Sequence, residues 1–520
     1  MKTGITIEIN PLFKAALDLM ENTSRHVFIT GRAGTGKSTL LDYFRNNTAR
    51  KVAVLAPTGV AALNVKGQTV HSFCRFRPDI TLDTVRKLSE GKKLLYRKLD
   101  AIIIDEISMV RADLLDCVEK FLRLNGPDSK KIFGGIQMIF IGDLYQLPPV
   151  VTSEEKGIFS SRYTSPYFFS ARILQDSGFR MEFIELEKIY RQTEKDFITL
   201  LNAIRNRSIS EKELSRLNKR FDPDFVPPDD EFYITLTSTN DLAFKRNKEK
   251  LATLPGKTRR YQGFLEGEFQ RSSLPTDEIL ELKTGAQVMM VNNDPKGRWV
   301  NGSIGKIAGI DKKGAGDDIL LVELQNGQTV DVYPWMWEIF RYVYDVQSEK
   351  LYTEPTGSFT QYPLKLAWAI TIHKSQGKTF DKVIIDVGRG TFAHGQVYVA
   401  LSRCTSFEGI VLKKLIKKGH IRMDYMVIKF LTNYKYDRAE EKMTYDEKRE
   451  LILDAIRRRK KLDIVYLKPD DTRSRRRIRP ESIEMMTYGG KDFEGVVAYC
   501  LKRKDIRHFR IERMLEVREV

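Results

Sequence analysis

The sequence predicts an α/β protein that carries a β-rich insertion and ends in a small β-rich module. Three observations predict it. Short apolar runs, HVFIT, KVAVLAP, AIIIDE and MIFIGD, end in small or acidic residues with helix-like segments between them. Buried parallel strands read this way, with functional loops at their carboxyl ends. Over about 263–362 the texture changes to strands and turns (AQVMMVNND, RWVNGSIGKIAGI, ILLVELQNGQTVDVYPW) punctuated by Gly and Asn, which suggests a small β-barrel. Beyond residue 451 apolar and basic residues alternate, as suits a second small β-barrel with one basic face.

Length and composition set the bounds. A chain of 520 residues should hold three or four domains of roughly 100–200 residues each. No apolar stretch reaches the roughly 20 residues of a membrane span, and the start, MKTGITIEINPLF, lacks a signal-peptide core. The expected location is the cytosol, on the nucleoid in a bacterial cell. Cys74, Cys117, Cys404 and Cys500 are scattered without metal-ligand spacing and read as buried free thiols. A net charge of +18 favours a polyanionic partner.

In chain order, residues 1–190 form the first α/β region, interrupted by the stretch 83–98, which carries six basic residues against two acidic ones. That stretch suits a solvated helical face or a wedge. A second α/β pattern covers 191–262 and resumes at 363–433, on either side of the β insertion. A charged helical connector at 434–450 leads to the basic module 451–520.

The clearest chemistry follows the strand HVFIT. Gly31-Arg-Ala-Gly34-Thr35-Gly36-Lys37-Ser38-Thr39 fits the phosphate-loop pattern and opens the helix TLLDYFRNN. Its glycines let backbone N–H groups curl around phosphate oxygens, Lys37 offers a point charge to the β/γ-phosphates, and Ser38 offers a hydroxyl to Mg²⁺. Asp105-Glu106 ends the strand Ala101–Ile104. An Asp there can hold Mg²⁺, and the neighbouring Glu can polarise an attacking water. In Gly142-Asp143-Leu-Tyr-Gln146-Leu-Pro-Pro, the Gln146 amide can sense the γ-phosphate. These residues predict ATP and Mg²⁺ as the nucleotide and metal.

Seven segments in order, GRAGTGKST, APTGVAALNVKGQTVHSF, IIIDEISMV, FGGIQMIFIGDLYQLPPV, LEKIYRQ, AITIHKSQG and VYVALSRCTS, resemble the Pif-type DNA helicases of superfamily one, the group related to RecD. The likeness spans about 8–432. The run Phe133-Gly-Gly-Ile-Gln137 is especially similar to the signature of that family. The resemblance implies two RecA-like lobes with a β-barrel insertion in the second, 5′-to-3′ movement on single-stranded DNA, and settings such as DNA repair and telomere maintenance. It also implies that Arg191 and Arg403 reach the γ-phosphate across the lobe interface, where a guanidinium can stabilise transition-state charge. Gln376 and Gly377 should face the nucleotide. Strand contacts carry over to Pro57, Thr58, Gly59, Thr69, Val70, His71 and Ser72 in the first lobe, and to Thr371, Ile372, His373, Lys374 and Ser375 in the second. Hydroxyls, backbone N–H groups and one Lys suit phosphate and sugar contacts that position a strand without reading it.

One departure concerns the base. Family members commonly carry a Gln near the N-terminus that reads adenine; here the stretch is Ile9-Asn10-Pro11-Leu12-Phe13-Lys14-Ala15, leaving Asn10 to do part of that work. The C-terminal module resembles the WYL-type domain, an Sm-like barrel. Arg475, Tyr499, Arg503 and Arg507 mix charge and aromatic faces as single-strand binders do. The expected partners are single-stranded DNA and forked or structured duplex, met by a monomer. The rivals are a nucleic-acid clamp that uses ATP only as a switch, which would not need Glu106, Arg191 and Arg403, and a nucleotide kinase, which would leave 191–432 unexplained.

Overall fold

The computed structural model describes residues 9–151, 155–192, 194–311, 318–388, 394–468, 473–488 and 490–520. The chain forms two compact units. One runs to Leu201 and continues over Glu211–Ile421; the other joins Asn202–Ser210 to Arg422–Val520.

The first unit contains a six-stranded sheet in the order Gln68–Thr69, Val52–Ala56, Ala101–Ile104, Gln137–Gly142, His26–Gly31, Met181–Leu186, with every pairing parallel. Its central strands are buried on both faces, which is why they read as continuous apolar runs. Val54, Ile103, Ile139 and Val27 form one row across the sheet. They pack with Phe13 of the helix Pro11–Asn22 and with Leu40, Leu41 and Phe44 of Lys37–Asn47. The opposite face is aromatic: Phe28 and Phe140 both meet Phe168.

A second parallel sheet in the same unit has the order Ala369–Thr371, Ile234–Thr237, Val383–Asp386, Ile410–Leu412. These are the two RecA-like lobes.

Between Ile234–Thr237 and Ala369–Thr371 lie the antiparallel sheets of the insertion. Five strands run in the order Thr329–Val332, Ile319–Leu324, Ile304–Asp311, Gln287–Met290, Leu364–Leu366, and three more in the order Trp335–Asp345, Lys350–Gln361, Phe264–Gly267. The β pairing extends past the expected 263–362. Arg259–Gln262 pairs with Ile279–Leu282, and Leu364–Leu366 with Gln287–Met290. These outer strands are short and half-polar, so their sequence does not separate them from the flanking α/β pattern.

In the second unit, five antiparallel strands take the order Asp505–Arg510, Lys491–Cys500, Arg473–Tyr488, Leu462–Leu467, Met514–Glu519. The expected connector at 434–450 falls across two helices, Tyr425–Lys442 and Tyr445–Arg457. The second is no bare link: Ile452 and Ala455 join the core of this sheet with Leu462, Ile478, Val496 and Phe509. Its start is fixed by a capping box in which Thr444 and Glu447 satisfy each other's backbone N–H. All four cysteines are buried free thiols. Among the described residues no helix is long and apolar enough to cross a membrane.

Candidate active site and nucleic-acid interface

Parallel strands deliver their next residues to one edge. His26–Gly31 hands over to the phosphate loop, Ala101–Ile104 to Asp105-Glu106, and Gln137–Gly142 to Asp143. Gly34 and Gly36 have φ of 78° and 87°, which only glycine adopts freely. At Gly34 a Cβ would also lie 2.5 Å from the Arg191 Cβ, so the missing side chain lets Arg191 onto the loop. Lys37 Nζ donates to the carbonyls of Gly31 and Arg32 at 2.7 and 3.1 Å. Thr35 is buried, its hydroxyl donated to the Arg32 carbonyl, while Ser38 and Thr39 are exposed. Tyr398 of the second lobe accepts from the Ala33 N–H at 3.1 Å.

Asp105 and Glu106 are half-buried side by side. Burial holds both carboxyls above the usual range, the Asp105 charge pushes Glu106 further up, and Lys37 opposes both shifts. Glu106 also sits at φ 50°, a left-handed backbone that costs a non-glycine residue energy and recurs at functional sites. A hydrogen-bonded chain crosses from there to the other lobe. Gln376 Nε2 donates to Glu106 Oε2 at 3.4 Å and to Gln146 Oε1 at 3.0 Å, and Gln146 Nε2 donates to Asp143 Oδ2 at 3.1 Å.

Both expected arginines are here. Arg403 is 1% exposed. Among the described residues it donates only to neutral groups, the Val399 and Lys378 carbonyls and the Ser402 hydroxyl. Burial and Arg191 push its pKa down, while Tyr398, Glu106 and Asp143 pull it up; a guanidinium stays charged regardless. Arg191 donates to the carbonyls of Ser402 and Gly377 at 3.4 and 3.3 Å. Lys37, Glu106, Gln146, Arg191, Gln376 and Arg403 therefore converge on one locus between the lobes.

Sequence reasoning missed Tyr190. Its ring is 45% exposed and lies 3.8 Å from a Cβ built on Gly36. The Asn10 amide donates to its hydroxyl at 3.4 Å. Asn10 also caps its helix by accepting from the Phe13 N–H. The usable signal was an aromatic side chain directly before Arg191.

The Asp105 carboxylate and the Ser38 hydroxyl are hard oxygen donors of the kind Mg²⁺ takes. Among the described residues no group of three His, Cys, Asp or Glu could hold a metal. Mg²⁺ is held by one or two carboxylates and completes its shell with phosphates and water.

The strand-contact residues divide. In the first lobe, Thr58 caps Gly59–Asn64 by accepting from the Ala61 N–H, and Thr69 caps the next turn by accepting from the Ser72 N–H. Thr58 and Ser72 are exposed, and Pro57, Gly59 and His71 half-buried. Gln68, not anticipated, ties this turn to the insertion: its Nε2 donates to Ser72 Oγ and its Oε1 accepts from the Tyr342 N–H. In the second lobe His373 and Lys374 are exposed. Thr371 and Ser375 differ from expectation, being 4% and 0% exposed. The Thr371 hydroxyl accepts from the Lys374 N–H, and Ser375 donates to the Ile372 carbonyl. The tight turn consumes both hydroxyls, so neither side chain reaches outward. In the C-terminal unit, strand register puts Arg475 and Tyr499 on one face with Arg479, which lies 5.5 Å from the Tyr499 ring centroid. Arg507 pairs with Ala498 on the other face, and Arg503 lies in the intervening turn. The expected quartet is therefore not one patch; Arg479, rather than Arg507, shares the face of Arg475 and Tyr499.

Comparison with known proteins gives the family to which these segments are similar. The PIF1-like helicase family matches residues 5–215, and the WYL domain family residues 447–519. The ATP-dependent DNA helicase PIF1 of Homo sapiens is 35% identical over 74% of this chain. The chain spans 57% of the length of that relative. The ATP-dependent DNA helicase Pif1 of Bdellovibrio bacteriovorus is 32% identical over 78% of this chain and 88% of that protein. The crystal structure of Bacteroides sp Pif1 in complex with ADP-AlF4 is 38% identical, with a TM-score of 0.75 over 83% of this chain and 98% of that one. The Bacteroides protein bound to ssDNA gives a TM-score of 0.60.

Proposed function

This chain belongs to the PIF1-like helicase family, and from that premise we propose that it is an ATP-dependent DNA helicase moving 5′ to 3′ along single-stranded DNA. The observation that carries the reading is the meeting of Arg403 and Arg191 with Lys37 and Glu106 across the lobe interface. A fully buried guanidinium that, among the described residues, meets neutral groups and no carboxylate is unfavourable unless an anion arrives. The γ-phosphate of ATP is an anion that fits.

Lys37 and the loop N–H groups hold the phosphates. Glu106, a stronger base for its raised pKa, takes a proton from the attacking water. Arg191 and Arg403 stabilise charge that spreads onto the equatorial oxygens. Ser38 and Asp105 would hold Mg²⁺, which when bound neutralises phosphate charge. Tyr190 offers the base a flat platform, with Asn10 fixing its hydroxyl. The Gln146–Gln376 chain links the hydrolytic residues to the turn that carries His373 and Lys374. Loss of the γ-phosphate thereby changes how the second lobe is held. Alternating grip by the turns at Thr58 and Thr69 and by the turn at Lys374 ratchets the strand. The exposed cations of the stretch 83–98 serve as the wedge that parts duplex ahead. The C-terminal module supplies a second contact through Arg475, Arg479, Tyr499 and Arg503. The substrates are single strands and forked or structured duplexes, and a single chain holds every part.

ATP turnover with and without single-stranded DNA, alongside unwinding of forks with a 5′ or a 3′ tail, tests this reading. Turnover should rise with DNA, and only the 5′-tailed fork should open. Lys37→Ala should abolish hydrolysis and spare strand binding. Turnover indifferent to DNA would sink the proposal in favour of a switch.

A further inference from the structure

Arg403 follows the helix Gln396–Leu401, whose cap is Ser402. Carbonyls at a helix end find no partner within the helix, and here each one from Ser402 to Cys404 is held from outside. The Arg403 carbonyl accepts from the Phe380 N–H at 2.9 Å. The carbonyls on either side of it accept from one side-chain amide: Gln192 Nε2 donates to Ser402 at 3.0 Å and to Cys404 at 3.1 Å. An amide nitrogen carries two protons, so both are used. Gln192 is 3% exposed and its two acceptor residues are buried as well, so these bonds are shielded from water.

Gln192 is also tied closely to the phosphate loop. Two residues before it, the Tyr190 N–H donates to the Gly34 carbonyl at 2.8 Å, and the Arg191 Cβ lies against Gly34. Tyr190, Arg191 and Gln192 therefore run from the phosphate loop to the turn that carries Arg403. The rest of that short helix is set against the first lobe too. At Gly395, where φ is 73°, a Cβ would lie 2.5 Å from the Gln146 carbonyl oxygen. Midway along, the Tyr398 hydroxyl accepts from the Ala33 N–H. The helix is registered on the nucleotide site at its start, middle and end, and the contact at its end bears directly on Arg403.

We infer that Gln192 is a positioning residue that sets where Arg403 stands relative to the γ-phosphate. The inference rests on the helicase reading and gives a role to a residue that reading leaves without one. Both Gln192 bonds go to main-chain carbonyls and neither to the guanidinium. The arginine side chain can therefore swing from its present acceptors to a phosphate while its backbone stays fixed. Transition-state contacts are sensitive to such placement, and a misplacement of about 1 Å can cost on the order of 10²-fold in rate. The Gln192 amide has no proton left for a phosphate, so binding of ATP in the ground state should not depend on it.

The test is ATP turnover of the full-length chain, saturated with an oligo-dT strand, in a double-mutant cycle between Gln192 and Arg403. Gln192→Met keeps the length of the side chain and removes the donor. It should lower kcat by about 10-fold to 10²-fold and leave KM for ATP and strand affinity nearly unchanged. Gln192→Asn, one methylene shorter, reaches one of the two carbonyls at most and should fall between Gln192→Met and wild type. In the Arg403→Ala background neither change should cost anything further, because a residue that acts through Arg403 then has nothing left to place. Losses that multiply would make Gln192 a general packing residue and overturn the inference. So would a raised KM at unchanged kcat, or a Gln192→Met protein that turns over like wild type. If the urea midpoint shows that Gln192→Met does not fold, Gln192→Asn carries the same cycle. If wild-type turnover is indifferent to DNA, or Arg403→Ala hydrolyses like wild type, the helicase reading falls instead.

Discussion

Glu106 combines three properties: a half-buried carboxyl held above its usual range, a left-handed backbone, and a hydrogen bond from the opposite lobe through Gln376. Glu106→Gln keeps the shape and the bond but removes the base. ATP binding should survive while turnover falls by about 10²-fold or more; near wild-type hydrolysis would place the base elsewhere. Arg403→Ala should lower kcat by about 10³-fold with a much smaller change in nucleotide affinity, since its charge matters most in the transition state. Arg403→Lys, which fills more of the buried space, separates loss of the fork from a cavity effect. Tyr190→Ala should raise KM for ATP and leave kcat nearly unchanged, because a stacking platform binds ground and transition states alike. The Asn10 side chain is engaged on both sides, by the Phe13 N–H and by Tyr190, so little remains to read adenine. Turnover of ATP and GTP should differ modestly; a preference beyond about 100-fold, or 2.7 kcal/mol, would mean that another group reads the base. The phosphate loop was legible because its chemistry lies within one short segment. The partners of Arg403 and the platform at Tyr190 were not, because they depend on which side chain two distant segments bring to the same loop.

The elements themselves show why some segments were readable and others were misleading. Val52–Ala56, Ala101–Ile104 and Gln137–Gly142 are almost wholly buried, so their burial is written as apolar runs. The stretch 83–98 looks like a charged surface, yet in the helix Glu90–Arg97 Lys93 is buried against Glu90, and Tyr96 donates its hydroxyl to the Phe73 carbonyl. Arg86, Lys87, Lys92, Arg97 and Lys98 remain exposed, and a charge count cannot tell them from Lys93. The run Phe133–Gln137 has a physical role that its resemblance did not supply. Phe133, Gly134 and Gly135 take φ of 51°, 65° and 82°. The strand that follows begins with Gln137, whose amide donates to the Leu19 and Arg25 carbonyls and whose oxygen accepts from Arg50. The run thus anchors the end of the helix Pro11–Asn22 to the sheet edge opposite the phosphates. A Cβ on Gly134 would come within 2.3 Å of the Leu122 carbonyl oxygen. Gly134→Ala should therefore destabilise by on the order of 2–4 kcal/mol, read from the urea midpoint. KM for ATP should hold in the protein that remains folded. A stable Gly134→Ala protein with a raised KM would instead tie the run to the nucleotide.

At the scale of the whole molecule, the residues assigned to hydrolysis all lie in the first unit, between Gly31 and Arg403, while the C-terminal sheet has its own core of Leu462, Ile478, Val496, Ala498 and Phe509. Chemistry should not need that module. Its outer face carries Arg475 and Arg479 beside Tyr499, with Ile506 53% exposed next to the tyrosine in register. Charge for phosphates beside a flat ring for bases is the composition of a single-strand platform. Ending the chain at Met443 should leave a DNA-stimulated ATPase with lower strand affinity, poorer unwinding and a flatter salt dependence, by roughly 0.7 in log–log slope for each phosphate no longer held. The cut also bares Tyr436 and Ala439, which pack with Leu467 and Leu515, so truncation alone mixes weaker DNA binding with damage to the core. The combined variant Arg475→Ala/Arg479→Ala/Tyr499→Ala leaves that core intact and isolates the face. It should reproduce most of the fall in affinity and salt slope at unchanged thermal stability. The Arg507→Ala variant, altered on the opposite face, should change little. If the triple variant binds and unwinds like the intact chain at every salt concentration while truncation does not, the module acts through packing or a different surface, and the second strand contact assigned to this face is wrong.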